Sequence, residues 1–260
     1  MYPLKALRLD GMPPLFYQHF WPTMGNVVTN TVLDFLNFGV ILPNFNETQI
    51  VLIPKVNKPQ RVTEFRPISL CNVVYKMAAK ILANRLKKIL PAIISDTQSA
   101  FVNGRLIIKN ILVAFETMHH INKRKKGKKG EMALKLDMSK YYNRVELVCL
   151  DKIMKKLGFH PRWRNLMMQC VSTVTYSIRI NVKPKGHISP TRGLRQGDPL
   201  SPYLFLLCAK GLSALIKKAV AKGSMEGIFV CKNGPYLSHL FFADDSLIFC
   251  KATTGECDVL

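Results

Sequence analysis

The chain has 260 residues, 48% of them apolar, which suits one domain with two lobes or two small domains and excludes disorder along the whole length. Thirty-eight Lys and Arg against sixteen Asp and Glu leave a net charge of +22, a surplus that calls for a polyanion: nucleic acid or an anionic membrane surface. The longest strongly apolar stretch without charge, residues 199–209, is eleven residues, against the roughly 18–20 that a spanning helix needs.

The first forty-odd residues carry Pro3, Pro13, Pro14, Pro22 and Pro43 around an apolar helical patch at 27–38, and read as an irregular lead-in that packs on a lobe. Residues 48–53 are β-rich and stop at Pro54. Asn72 is placed to cap a helix that ends at Pro91, and residues 106–122 fit a second helix with Ile107, Ile108, Ile111, Leu112, Phe115 and Met118 as its apolar stripe. The run from Lys123 to Gly130 puts six positive charges in eight residues and reads as a solvated loop. A short strand at 132–137 follows, then helices at 146–157 and 161–170. Val174, Tyr176, Ile178, Ile180 and Val182 alternate with polar residues as one half-buried strand. A long helix at 202–222 precedes a string of short strands. This is an α+β pattern rather than a regular βαβ alternation. Seven scattered cysteines, never spaced as C-x-x-C, argue against a disulfide framework and structural zinc. They suit a reducing, intracellular compartment, and there is no signal-peptide pattern; the basic run at 123–130, which also reads as a phosphate contact or a nuclear-import signal, puts the nucleus ahead of the cytoplasm.

With so few carboxylates, two places stand out. Asp137 ends the apolar strand LKLD, and Asp244 and Asp245 lie between Phe241-Phe242 and Leu247-Ile248-Phe249, as in the turn of a β-hairpin. An Asp-Asp hairpin tip is ordinary turn chemistry. Bunched carboxylates also raise each other's pKa and normally keep a cation, and hard divalent ions take oxygen ligands together with substrate phosphates. If the strand ending at Asp137 lies beside that hairpin, three carboxylates suffice for two metals about 3.5–4 Å apart, an arrangement suited to in-line phosphoryl transfer.

These residues carry a resemblance. The strand-Asp and the FADD hairpin are similar to motifs A and C of reverse transcriptases of the LINE-type, non-LTR retrotransposons, most like the plant elements. Residues 193–205 (GLRQGDPLSPYLF) resemble motif B, 66–70 (RPISL) after 51–55 (VLIPK) resemble the fingers motifs, and 98–105 (QSAFVNGR) has the look of the same family. The resemblance implies an α+β right hand of fingers and palm, an antiparallel palm sheet with packed helices and no thumb. Residues 1–47 would be a lead-in, 48–130 fingers, and 131–260 palm with some fingers elements, incomplete at the C-terminus. It implies RNA-directed DNA synthesis with Mg²⁺ (two ions, Mn²⁺ also serving), an RNA template, a DNA primer and dNTPs. Asp137, Asp244 and Asp245 fall on the metal-binding catalytic aspartates. Lys55 and Arg66 fall on residues that contact the triphosphate, Gln196 and Gly197 on those against the incoming nucleotide and template base. Tyr142 falls on the ring that excludes a 2′-hydroxyl. Within motif A, Tyr141 replaces a small residue and Asn143 an acid. The alternative is a catalytically inactive remnant that at most binds nucleic acid.

Overall fold

The computed structural model describes residues 12–123, 130–137, 141–230, 234, 236–243 and 245–260; the side chain of Asp137 and the basic run at 124–129 lie outside that description. The chain divides into two compact units, Met1–Leu86 with Tyr142–Phe205, and Lys87–Tyr141 with Leu206–Leu260.

In the first unit, helices α1 (Pro14–His19) and α2 (Trp21–Phe38) come before strand β1 (Glu47–Pro54). The expectation of an irregular start falls in part on residues 1–11, which lie outside the described residues; from Pro14 on the lead-in is helical, because Pro14 and Pro22 fall in the first turns, where a missing N–H costs nothing and the fixed φ already suits a helix. A 3-10 turn leads to β2 (Phe65–Cys71), and α3 (Val73–Ile93) follows. Asn72 caps it as expected, its Oδ1 accepting the Val74 N–H at 2.8 Å. After Tyr142 the unit continues through α5 (Tyr141–Arg144), α6 (Leu147–Lys156), α7 (Pro161–Ser172), β4 (Thr175–Ile180) and β5 (Lys183–Ile188). The sheet order is β2-β1-β4-β5, antiparallel except for the parallel β1/β4 pair. The single strand expected through Val182 is a hairpin instead. Asn181 and Val182 have φ of 48° and 69°, the positive pair that a tight two-residue β-turn demands. Phe35, Phe45 and Tyr75 pack in series, the first pair tilted and the second edge-to-face, with centroids 5.6 and 5.8 Å apart, and anchor α2 and α3 in one apolar core.

The second unit holds α4 (Ile107–Lys123), β3 (Glu131–Asp137) and the part of α8 (Ser201–Ala221) from Leu206 on. It then has β6 (Ile228–Phe229), β7 (Tyr236–Leu237), β8 (His239–Phe242), β9 (Asp245–Lys251) and α9 (Thr254–Val259). The sheet order is β3-β9-β8, fully antiparallel. Strand alternation sends Phe241, Ile248 and Cys250 against α8, and Leu240, Leu247 and Phe249 against Ala114 and Ile121 of α4. The end of the chain is thus not all strand: Thr253 accepts the Glu256 N–H and starts a short helix.

Two further expectations change. α3 runs past Pro91 to Ile93, because the Arg105 guanidinium donates to the carbonyls of Pro91 and Ile94, groups that a helix end leaves open. The apolar stripe of α4 is not its buried side: Ala114, Thr117 and Ile121 face the sheet, while Ile108, Leu112 and Phe115 are 60%, 57% and 65% exposed. Among the described residues no helix is long and apolar enough to cross a membrane.

Candidate active site

In the second unit, β3 and β9 are paired from Glu131↔Lys251 to Asp137↔Asp245, so the two aspartate positions face each other at the end of the ladder. Directly opposed positions in an antiparallel pair share one face of the sheet. Asp245 also pairs with Phe242 of β8. It is therefore the first residue of β9 and not part of the turn, which leaves only Ala243 and Asp244 between the strands. Asp244 lies outside the described residues. Ala243 has φ of 50°, a left-handed conformation that costs a residue with a Cβ about 1–2 kcal/mol. Strain of this kind concentrates at sites where position matters more than stability.

The carboxylate of Asp245 is 56% exposed and lies 3.4 Å from Nζ of Lys135, which is two positions before Asp137 on β3. A lysine here offsets the repulsion between like charges. The exposed carboxylate of Asp245 offers oxygen ligands of the kind that a divalent cation prefers, together with water and phosphate.

The β8–β9 hairpin is held from behind by residues 97–99. The Phe241 N–H donates to Thr97 O at 2.8 Å, the Ser99 N–H to Phe241 O at 3.3 Å, and Asn110 Nδ2 bridges Thr97 O and Phe241 O. Arg105 ties the same segment to the end of α3 through Ser95 O and Gln98 O. The stretch 98–105, noted from sequence without a role, is thus the scaffold of the hairpin. His239 on β8 is fully buried, with Nε2 2.8 Å from Ser213 Oγ and 3.0 Å from Thr97 Oγ1. Burial, with Lys217 and Lys210 adding to it, pulls this imidazole down to about 4.

The other candidate residues gather in the first unit. Lys55 follows β1 and Arg66 lies on β2 opposite Ile53, both exposed; Lys55 Nζ donates to Thr63 O at 3.1 Å. The loop at 193–200 crosses the end of this hairpin: the Ser69 N–H donates to Gln196 O at 2.9 Å. Gly197 has φ of 94°, and a Cβ there would stand 3.5 Å from Ser69 O. On the other side the loop is stitched to α5. The Gly193 N–H donates to Val145 O at 2.8 Å and the Leu194 N–H to Tyr142 O at 2.6 Å. The Tyr142 ring stacks on Phe205, centroids 5.2 Å apart. Pro67, Ser69, Asn143, Arg192, Gly193 and Gln196 help line a cleft of about 250 Å³ in this unit. Tyr142, Gln196 and Gly197 are thus joined to the strand that carries Arg66.

What sequence reasoning missed is the support of that loop. Arg195 and Asp198, 3% and 4% exposed, form an ion pair at 2.8 Å. Arg195 also donates to Asn46 Oδ1, Thr48 Oγ1 and Cys170 O, and lies over the Tyr75 ring at 4.0 Å. Asp198 accepts the Tyr75 hydroxyl at 2.6 Å and the Leu200 N–H at 2.8 Å. Burial alone would weaken the guanidinium charge, but Tyr75 and Asp198 more than offset it and hold the Arg195 pKa above its ordinary value. The signal in the sequence is an Arg and an Asp three apart around Gly197, between Leu194 and Leu200, where charge is costly unless it is paired.

Two aspartate positions are thus opposed across an antiparallel sheet, on a chain with a net charge of +22. Residues 53–258 match the family "Reverse transcriptase (RNA-dependent DNA polymerase)", and the chain belongs to that family. It is 28% identical over 214 residues to the "Transposon TX1 uncharacterized 149 kDa protein" of Xenopus laevis, covering 82% of this chain and 16% of that protein. It is 25% identical over 236 residues to the Pol polyprotein from the type-1 retrotransposable element R2 of Nasonia vitripennis, covering 90% of this chain and 22% of that one. An uncharacterized mitochondrial protein of Arabidopsis thaliana is 55% identical over 67 residues, 26% of this chain and 55% of that protein. The TX1 and R2 relatives are non-LTR retrotransposon polyproteins, and the chain spans less than a quarter of the length of each. Among solved structures, apo telomerase from Candida tropicalis superposes with a TM-score of 0.53 at 12% identity, over 91% of this chain and 50% of that one. The α+β fold is of the fingers-and-palm kind. The family in general uses divalent metal ions.

Proposed function

We propose that this chain carries the nucleotide-transfer centre of a reverse transcriptase: it adds dNTPs to the 3′-end of a DNA primer on an RNA template. The primer 3′-oxygen forms a bond to the α-phosphorus as the bond to pyrophosphate breaks. The observation that carries this reading is the register that opposes Asp137 and Asp245. Asp137, Asp244 and Asp245 would hold two Mg²⁺ ions, for which Mn²⁺ could substitute, and the chemistry supplied there would be activation of the 3′-hydroxyl and stabilisation of the leaving pyrophosphate. Lys55 and Arg66, exposed at one end of the β1–β2 ladder, contact the triphosphate, Arg66 with a fork geometry that matches phosphate oxygens. Gln196 and Gly197 support the incoming nucleotide and the template base, and the stacked ring of Tyr142 excludes a 2′-hydroxyl.

The net charge of +22 serves nucleic-acid binding whether or not chemistry follows, so the two are separable. The reading includes a nuclear place of action. Primer extension tests it: the purified chain, an RNA template, a DNA primer, Mg²⁺ and dNTPs, with Asp244→Ala as control. Extension by the parent chain alone supports the reading; extension by both proteins or by neither contradicts it. Filter binding over a salt series separates a remnant that only binds, since phosphate neutralisation predicts a steep loss of affinity with salt.

A further inference from the structure

Helix α4 has two apolar faces, and only one is used. Ala114, Thr117 and Ile121 pack toward the sheet. The second face holds Ile107, Ile108, Ile111, Leu112, Phe115 and Met118, between 40% and 65% exposed. At 3.6 residues per turn these six fill an arc of roughly 140° along three turns. At roughly 200 Å² for a fully exposed large side chain, their exposures leave on the order of 600 Å² of contiguous apolar surface. That is the top of the range of about 300–600 Å² for the largest patch on an ordinary monomer. Doubled, it reaches about 1,200 Å², the lower end of stable, specific protein interfaces.

We propose that this face is a dimerisation surface, covered by α4 of a second copy of the same chain packed antiparallel across a two-fold axis. The charges beside the stripe favour a copy of the chain over an unrelated partner. Lys109 and Glu116 are exposed on the same flank, seven positions apart and equally distant from the midpoint of the stripe, which falls between Leu112 and Val113. A two-fold axis at that midpoint sets Lys109 of each copy beside Glu116 of the other, giving two identical ion pairs along one edge of the seam. This is the self-complementarity that an isologous contact requires, and flanking pairs of this kind fix orientation in helix–helix interfaces. The net charge of +22 on each copy opposes association. At physiological salt, charges more than about 8 Å apart are largely screened, so the dimer is expected to tighten as salt rises, opposite to nucleic-acid binding.

Sedimentation velocity on the purified chain, free of nucleic acid and in about 0.3 M salt, tests this at concentrations up to roughly 50 µM, where interfaces of this size are populated. The parent chain is expected to dimerise, and Phe115→Asp, at an exposed position, to abolish the dimer while leaving the far-UV circular dichroism unchanged. Lys109→Glu and Glu116→Lys, each acting twice in a symmetric dimer, are expected to weaken association by about tenfold, and the double exchange to restore it to within about threefold. A monomer throughout would overturn the proposal and leave the face to a partner of other chemistry. A dimer indifferent to Phe115→Asp, or a double exchange without rescue, would equally overturn it.

Discussion

Asp137 and Asp245 stand directly opposite one another on β3 and β9, and Lys135, on the same strand as Asp137, is ion-paired with Asp245 at 3.4 Å. The ladder brings two acids into register, and a cation already lies beside one of them. The Asp245 side chain is 56% exposed, so this acid can be changed without unmaking the fold. Asp245→Asn is expected to shift folding free energy by no more than about 0.5 kcal/mol, because the pair it breaks is a surface one. Urea denaturation of the variant beside the parent chain checks this. A loss of several kcal/mol would mean that Asp245 is structural.

The Arg195–Asp198 pair makes the opposite forecast. Both are buried, and removing one leaves the other charged and unpaired in the core. Arg195→Ala is expected to cost about 3–5 kcal/mol. Tyr75→Phe, which takes one donor from the buried Asp198, is expected to cost about 1.5–3 kcal/mol. The same denaturation experiment reads both; a neutral Arg195→Ala would show that the network does not hold the 193–200 loop.

Gly193 has φ of 97°, and a Cβ on it would lie 3.0 Å from the Asn143 carbonyl oxygen. Gly193→Ala therefore strains the backbone and pushes the loop from α5. A cost of at least about 1–3 kcal/mol is expected, together with faster amide exchange at Gly193 and Leu194, whose hydrogen bonds to Val145 and Tyr142 carry the contact. Unchanged exchange protection would contradict this.

His239 gives the second unit a pH dependence. Its pKa falls from an ordinary 6.5 to about 4 on folding, so the unfolded chain binds the proton more readily between those values. Stability from this group is complete above pH 6.5 and is lost as pH falls toward 4, by about 3 kcal/mol in all. In His239→Asn the difference from the parent chain should shrink over that window; parallel stability curves would remove the effect.

The parts of this molecule legible in sequence were those written locally. The apolar runs at 132–137 and on either side of Asp244-Asp245 read as strands without any distant partner, and the Asn72 cap needs only its own helix. The Arg195 network was not legible, because Asn46, Tyr75 and Cys170 reach it from distant parts of the chain. Helical periodicity showed that Ile108, Leu112 and Phe115 share a face but not that the sheet takes another one. Pro91 was read as a helix stop by its own chemistry, which Arg105, fourteen residues on, overrides. Val182 looked like a strand residue because a β-branched side chain seldom takes a positive φ.

In the proposed function Asp137 and Asp245 serve one catalytic centre. Single-nucleotide incorporation on an RNA template measures it directly, comparing the parent chain with Asp137→Asn and Asp245→Asn at equal folded concentration. Incorporation by the parent chain that drops by about a hundredfold or more in each variant is the predicted result. Incorporation that survives either substitution unchanged, or none by the parent chain, would contradict it.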